Sequence, residues 1–347
     1  MVAELIKLLK ESMIPPGPSG FEDEIRSYIT RKLEEIGLQP SQDNMGNVYL
    51  SLGQKDYEET LVIAAHMDEI GLLVTGIDEK GKLYFITLGG VPLNMLDSMH
   101  VKVKTENGYV PGIIGIIPPH LKRDDKQPSK LEDYRIDIGA EAKDEAADLG
   151  IEPPSPAVLE HKYVELRGGE VIAGRPLDDR VGVAILLKLA GILKDKRVKN
   201  RKIILAWTVQ EEIGLKGAYA LSHMLNADYM IAIDTITCCR PPYTGGYGLG
   251  KGPVLRLVDR AYVSCIPLSK WIMQQAKDSR LSLQIAVAQG GTDAAAGTHA
   301  GICSTAITVA TENTHSTVEK AYKRDIELSY ELLERVVEEY LEKGITV

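Results

Sequence analysis

The sequence predicts an α/β protein: a mostly parallel sheet with helices on both faces, into which a small all-β domain is inserted. Three observations carry that prediction. After Gly174, apolar strand-like runs alternate with helical patterns, the rhythm of a parallel sheet with helical crossovers. From Gly71 to Arg167 the runs shorten and alternate, separated by the turn signals Glu79-Lys-Gly81, Gly89-Gly90 and Glu106-Asn-Gly108. Finally, His66, Asp68, Glu211, Glu212 and Asp234 fall at or just past predicted strand ends, where open α/β sheets bind ligands. The expected division is a main domain of residues 1–70 and 168–347 and an inserted domain of residues 71–167.

The elements follow in order. Residues 3–13 place Leu5, Ile6, Leu8 and Leu9 on a short amphipathic helix, broken by Pro15-Pro-Gly-Pro18. Ser19-Gly-Phe-Glu22 has the spacing of a capping box. The helix it opens has an inner face of Ile25, Tyr28, Ile29, Leu33 and Ile36, and Gly37 stops it. Strands are expected over 47–52 and 61–65, the second running into His66-Met-Asp68. In the inserted part, 71–77, 83–88 and 100–104 read as strands, 141–148 as a helix and 121–131 as a polar surface loop. Beyond it come a helix over 181–193 and the buried strand 203–207, which ends in Glu211-Glu212 and the turn at Gly214. A helix over 215–225 and a strand over 229–233, ending at Asp234, follow. Then come strand 254–258, helix 267–277, strands 283–288 and 303–309, and a closing helix over 325–343.

Of the 347 residues, 44% are hydrophobic and 26% charged, a soluble globular balance with enough chain for one large domain or two. A net charge of −9 argues against nucleic acid as partner, since phosphate binding needs a basic surface. There is no signal-peptide core at the N-terminus and no apolar run of membrane-spanning length, so a cytoplasmic protein is expected. The four cysteines, Cys238, Cys239, Cys265 and Cys303, form no C-x-x-C pair and are read as small buried hydrophobes.

Neighbouring side chains of an extended chain point to opposite faces, so Glu211 and Glu212 can serve a cation and a reactant respectively, or the reverse. His66 and Asp68, two apart, share a face, and Asp68 can hydrogen-bond the second ring nitrogen of His66 and fix its tautomer. Metal-type ligands come from five segments: His66-Met-Asp68, Leu177-Asp-Asp-Arg180, Glu211-Glu212, Asp234 and His315. Singly each has an ordinary reading, a structural histidine or a helix cap. Together they point to a metal site, and imidazole with carboxylate suits zinc, cobalt or manganese, whereas magnesium favours oxygen alone. A carboxylate shared by two cations holds them about 3.5–4 Å apart, and a glutamate left off the metals is free to move a proton.

The ordered series Pro16-Gly-Pro-Ser-Gly20, Ala65-His-Met-Asp68-Glu-Ile-Gly71, Pro118-Pro-His120, Leu177-Asp-Asp-Arg180, Val209-Gln-Glu-Glu-Ile-Gly214, Gly290-Gly-Thr-Asp293 and His315-Ser316 resembles the M42 family of dinuclear metallo-aminopeptidases, the tetrahedral aminopeptidases. The likeness covers nearly the whole chain. It implies a zinc-exopeptidase-like main domain and a PDZ-like β insertion that serves dimerisation, with dimers assembling into a hollow dodecamer that admits peptides. It further implies two divalent metal ions per subunit. Asp178 would bridge them, His66 and Asp234 complete one site, and Glu212 and His315 the other. Glu211 would be the general base with Asp68 behind His66, and Asp179 a structural residue or helix cap. One departure stands out: where the family often has an Arg-Tyr pair before the last histidine, this chain reads Thr311-Glu-Asn-Thr-His315, reversing a charge.

Three other readings are weighed. Gly245-Gly-Tyr-Gly-Leu-Gly-Lys251 has the start of a P-loop, but Gly252 replaces the Ser or Thr and a strand follows instead of a helix. A deacylase, deblocking peptidase or carboxypeptidase could use the same ligands on another substrate. A non-catalytic assembly protein is opposed by the intact Glu211, because a binding module needs no general base. Asp293 borders the expected site but could equally cap a helix.

Overall fold

The computed structural model describes residues 2–53, 57–116, 130–196, 200–239 and 246–345. The Pro118-Pro-His120 motif, Gly245 and most of the stretch 121–131 lie outside them. Helices α1 (Val2–Ser12) and α2 (Asp23–Glu35) open the chain, followed by strands β1 (Ser41–Gln42), β2 (Val48–Gly53) and β3 (Glu59–His66). Next come β4 (Gly71–Ile77), β5 (Leu83–Leu88), β6 (Met99–Thr105), β7 (Gly108–Ile114), helix α3 (Lys143–Asp148) and β8 (Ser155–Leu159). Strands β9 (Lys162–Leu166) and β10 (Val171–Arg175) lead to helix α4 (Arg180–Leu193), β11 (Arg201–Thr208), α5 (Lys216–Met224) and β12 (Tyr229–Thr237). The chain ends with β13 (Val254–Val258), α6 (Ile266–Asp278), β14 (Gln284–Val287), α7 (Ala294–His299), β15 (Cys303–Thr311), β16 (Glu319–Tyr322) and α8 (Lys323–Lys343). No described helix is long and apolar enough to cross a membrane.

The main sheet runs β1-β2-β11-β3-β12-β15-β13-β14. Its centre, β11-β3-β12-β15, is parallel, as is β13-β14, while β1/β2, β2/β11 and β13/β15 are antiparallel. β3 is buried from Thr60 to His66, as expected of a strand covered on both sides. Its side chains alternate between two cores. Leu61, Ile63 and Ala65 join α1, α2, α4 and α8 in the larger core, whereas Val62 and Ala64 pack with Ile204, Met230 and Leu221 on the opposite face. A separate five-stranded sheet, β5-β4-β8-β6-β7, spans Gly71 to Leu159 and has its own core around Leu72, Val74, Leu83, Val101 and Leu159. β9 belongs elsewhere, to the small antiparallel sheet β16-β10-β9.

Three expectations need correction. Ser19 and Glu22 do not form a capping box, since Glu22 makes no side-chain cap to α2. The Ser19 hydroxyl instead donates to Asp68 Oδ2 at 2.6 Å, a tertiary contact that spacing along the chain cannot reveal. The cysteines are not four buried hydrophobes: Cys265 and Cys303 are disulfide-bonded and Cys239 is exposed, leaving Cys238 buried. The pair is 38 residues apart in sequence and meets because the residue before α6 lies beside the start of β15, where Cys265 N donates to the Ser304 carbonyl. Lastly, Asp234 does not end its strand, because β12 continues to Thr237. Pairing of β12 with β3 stops at Ala232–Ala64, while its pairing with β15 runs on to Thr237–Thr311. The gap that opens there faces Asp234.

Candidate metal centre

Register brings the predicted residues together. His66, the last residue of β3, stands opposite Thr208, the last of β11. The turn that follows β11 therefore sets Glu211 and Glu212 beside His66. Asp178 comes from the segment between β10 and α4, across a cis peptide bond to Asp179. His315 comes from the turn between β15 and β16, at φ 62°, a left-handed backbone uncommon for a non-glycine residue. Asp179 caps α4, its carboxylate accepting from Gly182 N at 2.9 Å.

Asp178 faces both ways. Its Oδ1 lies 3.3 Å from His66 Nε2 and its Oδ2 lies 3.6 Å from His315 Nε2. On the first side Asp234 Oδ1 stands 3.8 Å from His66 Nε2, and on the second Glu212 Oε2 stands 3.1 Å from His315 Nε2. Each trio, His66-Asp178-Asp234 and Asp178-Glu212-His315, offers donor atoms within 4.8 Å of one another. Ligands about 2.1 Å from a shared tetrahedral ion stand about 3.4 Å apart, so this spacing suits one ion per trio. Glu211 Oε2 is further off, 4.0 Å from His66 Nε2.

The second ring nitrogens fix the tautomers. His66 Nδ1 donates to the backbone carbonyl of Asp68 at 3.1 Å, while the Asp68 carboxylate is 3.5 Å away. That carboxylate instead accepts from Ser19 Oγ and from the backbone N–H groups of Glu211 and Glu212, at 2.9 and 3.2 Å for the last two. Asp68 thus holds His66 through its main chain and the glutamate pair through its side chain. His315 Nδ1 donates to the Gly90 carbonyl at 3.1 Å. Both imidazoles then turn an Nε2 lone pair toward carboxylate oxygens, which also offer only lone pairs. Such contacts are favourable only with a proton or a cation between them.

The charges agree. Burial disfavours a charged imidazole at His66, yet Glu211, Asp178, Asp68 and Asp234 outweigh it and raise its pKa well above the usual value. His315 is likewise pushed up against burial to about 10, by Glu212, Asp178 and Glu319. Burial raises Glu211 and Asp234, with neighbouring carboxylates adding to it. Negative charge is in surplus. Buried Asp178 Oδ1 also has no hydrogen-bond partner. Two imidazole nitrogens, three carboxylates and an unpaired oxygen between them fit a pair of divalent cations.

Several supports escaped sequence reasoning. Glu319, buried in β16, accepts from His315 N at 3.0 Å through Oε1 and from Leu177 N and Asp178 N at 2.6 and 3.2 Å through Oε2. Glu22 accepts from Gln210 N at 3.2 Å, bracing a residue at φ 55° just before the glutamates. Asp293 precedes α7 without capping it, and accepts instead from Thr208 Oγ1. Burial pushes Asp293 up to about 6. Glu312, the reversed charge before the last histidine, is ion-paired with Lys320. A cavity of about 560 Å³ opens onto Asp178, Glu211, Glu212, Asp234 and His315, with Gly290 and Gly291 in its wall.

The chain is similar to known proteins over most of its length. Residues 46–332 match the family described as M42 glutamyl aminopeptidase. The glutamyl aminopeptidase of Lactococcus lactis subsp. cremoris is 31% identical over 310 residues, covering 86% of each chain. The lysyl aminopeptidase of Pyrococcus furiosus is 29% identical over 352 residues, covering 96% of each. Among solved structures, the TET1 peptidase of Pyrococcus horikoshii, which can assemble into a tetrahedron or a large octahedral shell, superposes with a TM-score of 0.90 at 40% identity, covering 96% of this chain and 98% of that one. With the family's match spanning most of the chain and a solved relative superposing over 96% of it, the chain belongs to the M42 family of aminopeptidases and is a peptide hydrolase.

Proposed function

We propose that this chain removes the N-terminal residue of peptides with the help of two divalent cations. Asp178 would be shared by both, with His66 and Asp234 to hold one and Glu212 and His315 to hold the other. The observation that carries the reading is the division of Asp178, one oxygen toward each histidine. Cations there would polarise the scissile carbonyl and ease proton loss from a water molecule. Zinc, cobalt and manganese suit the donors.

The protein's own groups do the rest. Glu211 lines the cavity and stands further from the histidine nitrogens than the proposed ligands do. Its burial raises its proton affinity, which suits a group that takes a proton from water and hands it to the leaving amine. Asp68 keeps Glu211 and Glu212 in register by holding both N–H groups, so one carboxylate stays on the ligand side while its neighbour remains free. The test compares a free and an N-acetylated aminoacyl anilide on metal-reconstituted protein. Hydrolysis of the free amine is expected, and preference for the acetylated compound would make the protein a deblocking enzyme instead.

The five-stranded sheet of Gly71 to Leu159, the larger part of the expected insertion 71–167, we assign to dimerisation, and the dimers to a dodecamer, the assembly named for the relative PhTET1-12s. Support comes from the separate core of the five-stranded sheet and from Tyr84, Ile86 and Ile113, which it leaves exposed. Light scattering that finds only monomer would remove this part. The relatives' names, glutamyl and lysyl, ask for opposite charges, so family membership leaves the preferred first residue open.

A further inference from the structure

We propose that His223 and His299 form a further metal site, separate from the Asp178 centre, which takes one divalent transition ion such as zinc or nickel and staples α5 to α7. The two histidines come from different elements. His223 is the next-to-last residue of α5 and His299 the last residue of α7, and the two helices pack together. Their ring centroids stand 5.9 Å apart, with the planes tilted by 52°. Two imidazoles bound at about 2.1 Å to one tetrahedral ion have ring centres about 5 Å apart. Closing that difference needs only a small movement of two side chains that are both exposed.

The rings are already oriented. His223 Nδ1 donates to the Tyr219 carbonyl at 2.8 Å, which leaves Nε2 its lone pair, the arrangement also found at His66 and His315. Tyr219 stands edge-on to His299, with centroids 5.3 Å and planes 86° apart, and so supports that ring beside His223. Among the described residues neither ring nitrogen of His299 has a hydrogen-bond partner. Both histidines lie where a helix ends, and the last carbonyls of a helix carry partial negative charge that favours a cation. A donor pair of two imidazoles without a carboxylate selects zinc, nickel or copper over magnesium or calcium. The turn before α5 and the segment before α7 supply Leu215, Gly290 and Gly291 to the cavity wall. An ion that ties the far ends of these helices together therefore steadies two sides of that cavity.

The experiment loads wild type, His223→Gln, His299→Gln and the double variant with zinc, dialyses away what is loosely held, and titrates each with nickel. Zinc and nickel per chain are then counted separately by elemental mass spectrometry, and melting is followed with and without nickel. Wild type is expected to take up one nickel ion more than the double variant. Its melting temperature rises with nickel, as it must when an ion binds the folded chain alone. Each single variant loses both the ion and the rise, because neither histidine holds it unaided. Exposed glutamine in place of exposed histidine leaves the fold intact, which unchanged melting without nickel confirms. Equal nickel uptake and equal melting shifts in wild type and double variant overturn the proposal. So does loss of the ion in only one single variant, which would make the other histidine a bystander in a plain ring contact. Neither result bears on the Asp178 centre, whose own ions are read from the zinc count.

Discussion

The Gly90 carbonyl accepts a hydrogen bond from His315 Nδ1 at 3.1 Å, so the loop after β5 of the five-stranded sheet orients a proposed ligand of the main sheet's site. A Cβ at position 90 would stand 2.9 Å from that same nitrogen, closer than real contacts allow, so the ring must move. Gly90→Ala is therefore expected to loosen one ion and keep the other. Loss of the partner that orients a ligating histidine costs about 10–100-fold in metal affinity or activity. Metal content after dialysis, read beside kcat, checks this, and two tightly held ions in the variant would refute it.

Glu319 has a wider reach, since its two oxygens hold the backbones of Asp178 and His315, one ligand common to both trios and one from the second. Glu319→Ala strands three N–H donors, at about 1–3 kcal/mol for each that stays buried. Both ions are expected to be lost together, with a lower melting temperature. Glu319→Gln keeps one acceptor oxygen and should fall between. A variant that melts early but still binds two ions would show Glu319 to be a folding residue only.

The proposed ligands were legible in the sequence because each stands next to a local signal: the buried run before His66, the strand before Glu211, the Asp-Asp pair before a helix. Their supports were not. Glu319 sits on a four-residue strand among lysine and tyrosine, with nothing in its spacing to separate it from a surface glutamate. Ser19 and Glu22 matched a helix-cap pattern so well that the local reading hid the tertiary one, in which both brace the turn that carries Glu211. The β-rich insertion was legible from its alternation, and the disulfide was not, since two cysteines 38 apart share no motif. Asp234 was found for a partly wrong reason: its strand runs on, and the neighbouring strand is the one that stops.

Glu211→Gln separates the proton carrier from the ligands. With Glu211 Oε2 at 4.0 Å from His66 Nε2, the amide should leave both ions bound and lower turnover about 10²–10⁴-fold, the usual range for a lost general base. Departure of an ion would make Glu211 a ligand instead. Asp178→Ala is the complementary change, expected to weaken both sites at once because Oδ1 and Oδ2 face different histidines. Full occupancy of either site in that variant would refute the bridge.

The link between the two large sheets gives a prediction for acid. Glu69, between β3 and β4 and 1% exposed, accepts from Arg180 Nη2 and Gly17 N through Oε1, and from Arg175 Nη2 and His161 Nε2 through Oε2. Burial alone would raise its pKa, but His161, Arg180 and Arg175 outweigh it and hold the carboxyl far below its ordinary 4.5. A depressed folded-state pKa means that the unfolded chain takes up the proton first. The stabilisation is thus complete above about pH 4.5 and is lost as pH falls below it, at about 1.4 kcal/mol per pH unit for one proton. Glu69→Gln should remove one proton's worth of that slope. At neutral pH it should cost about 3–5 kcal/mol, because it leaves two buried guanidinium groups without their counter-charge. Urea unfolding of both proteins between pH 3 and pH 7 measures the two effects separately. Parallel curves across that range would mean that Glu69 titrates alike in the folded and unfolded chain, and that His161, Arg180 and Arg175 do not hold its carboxyl down.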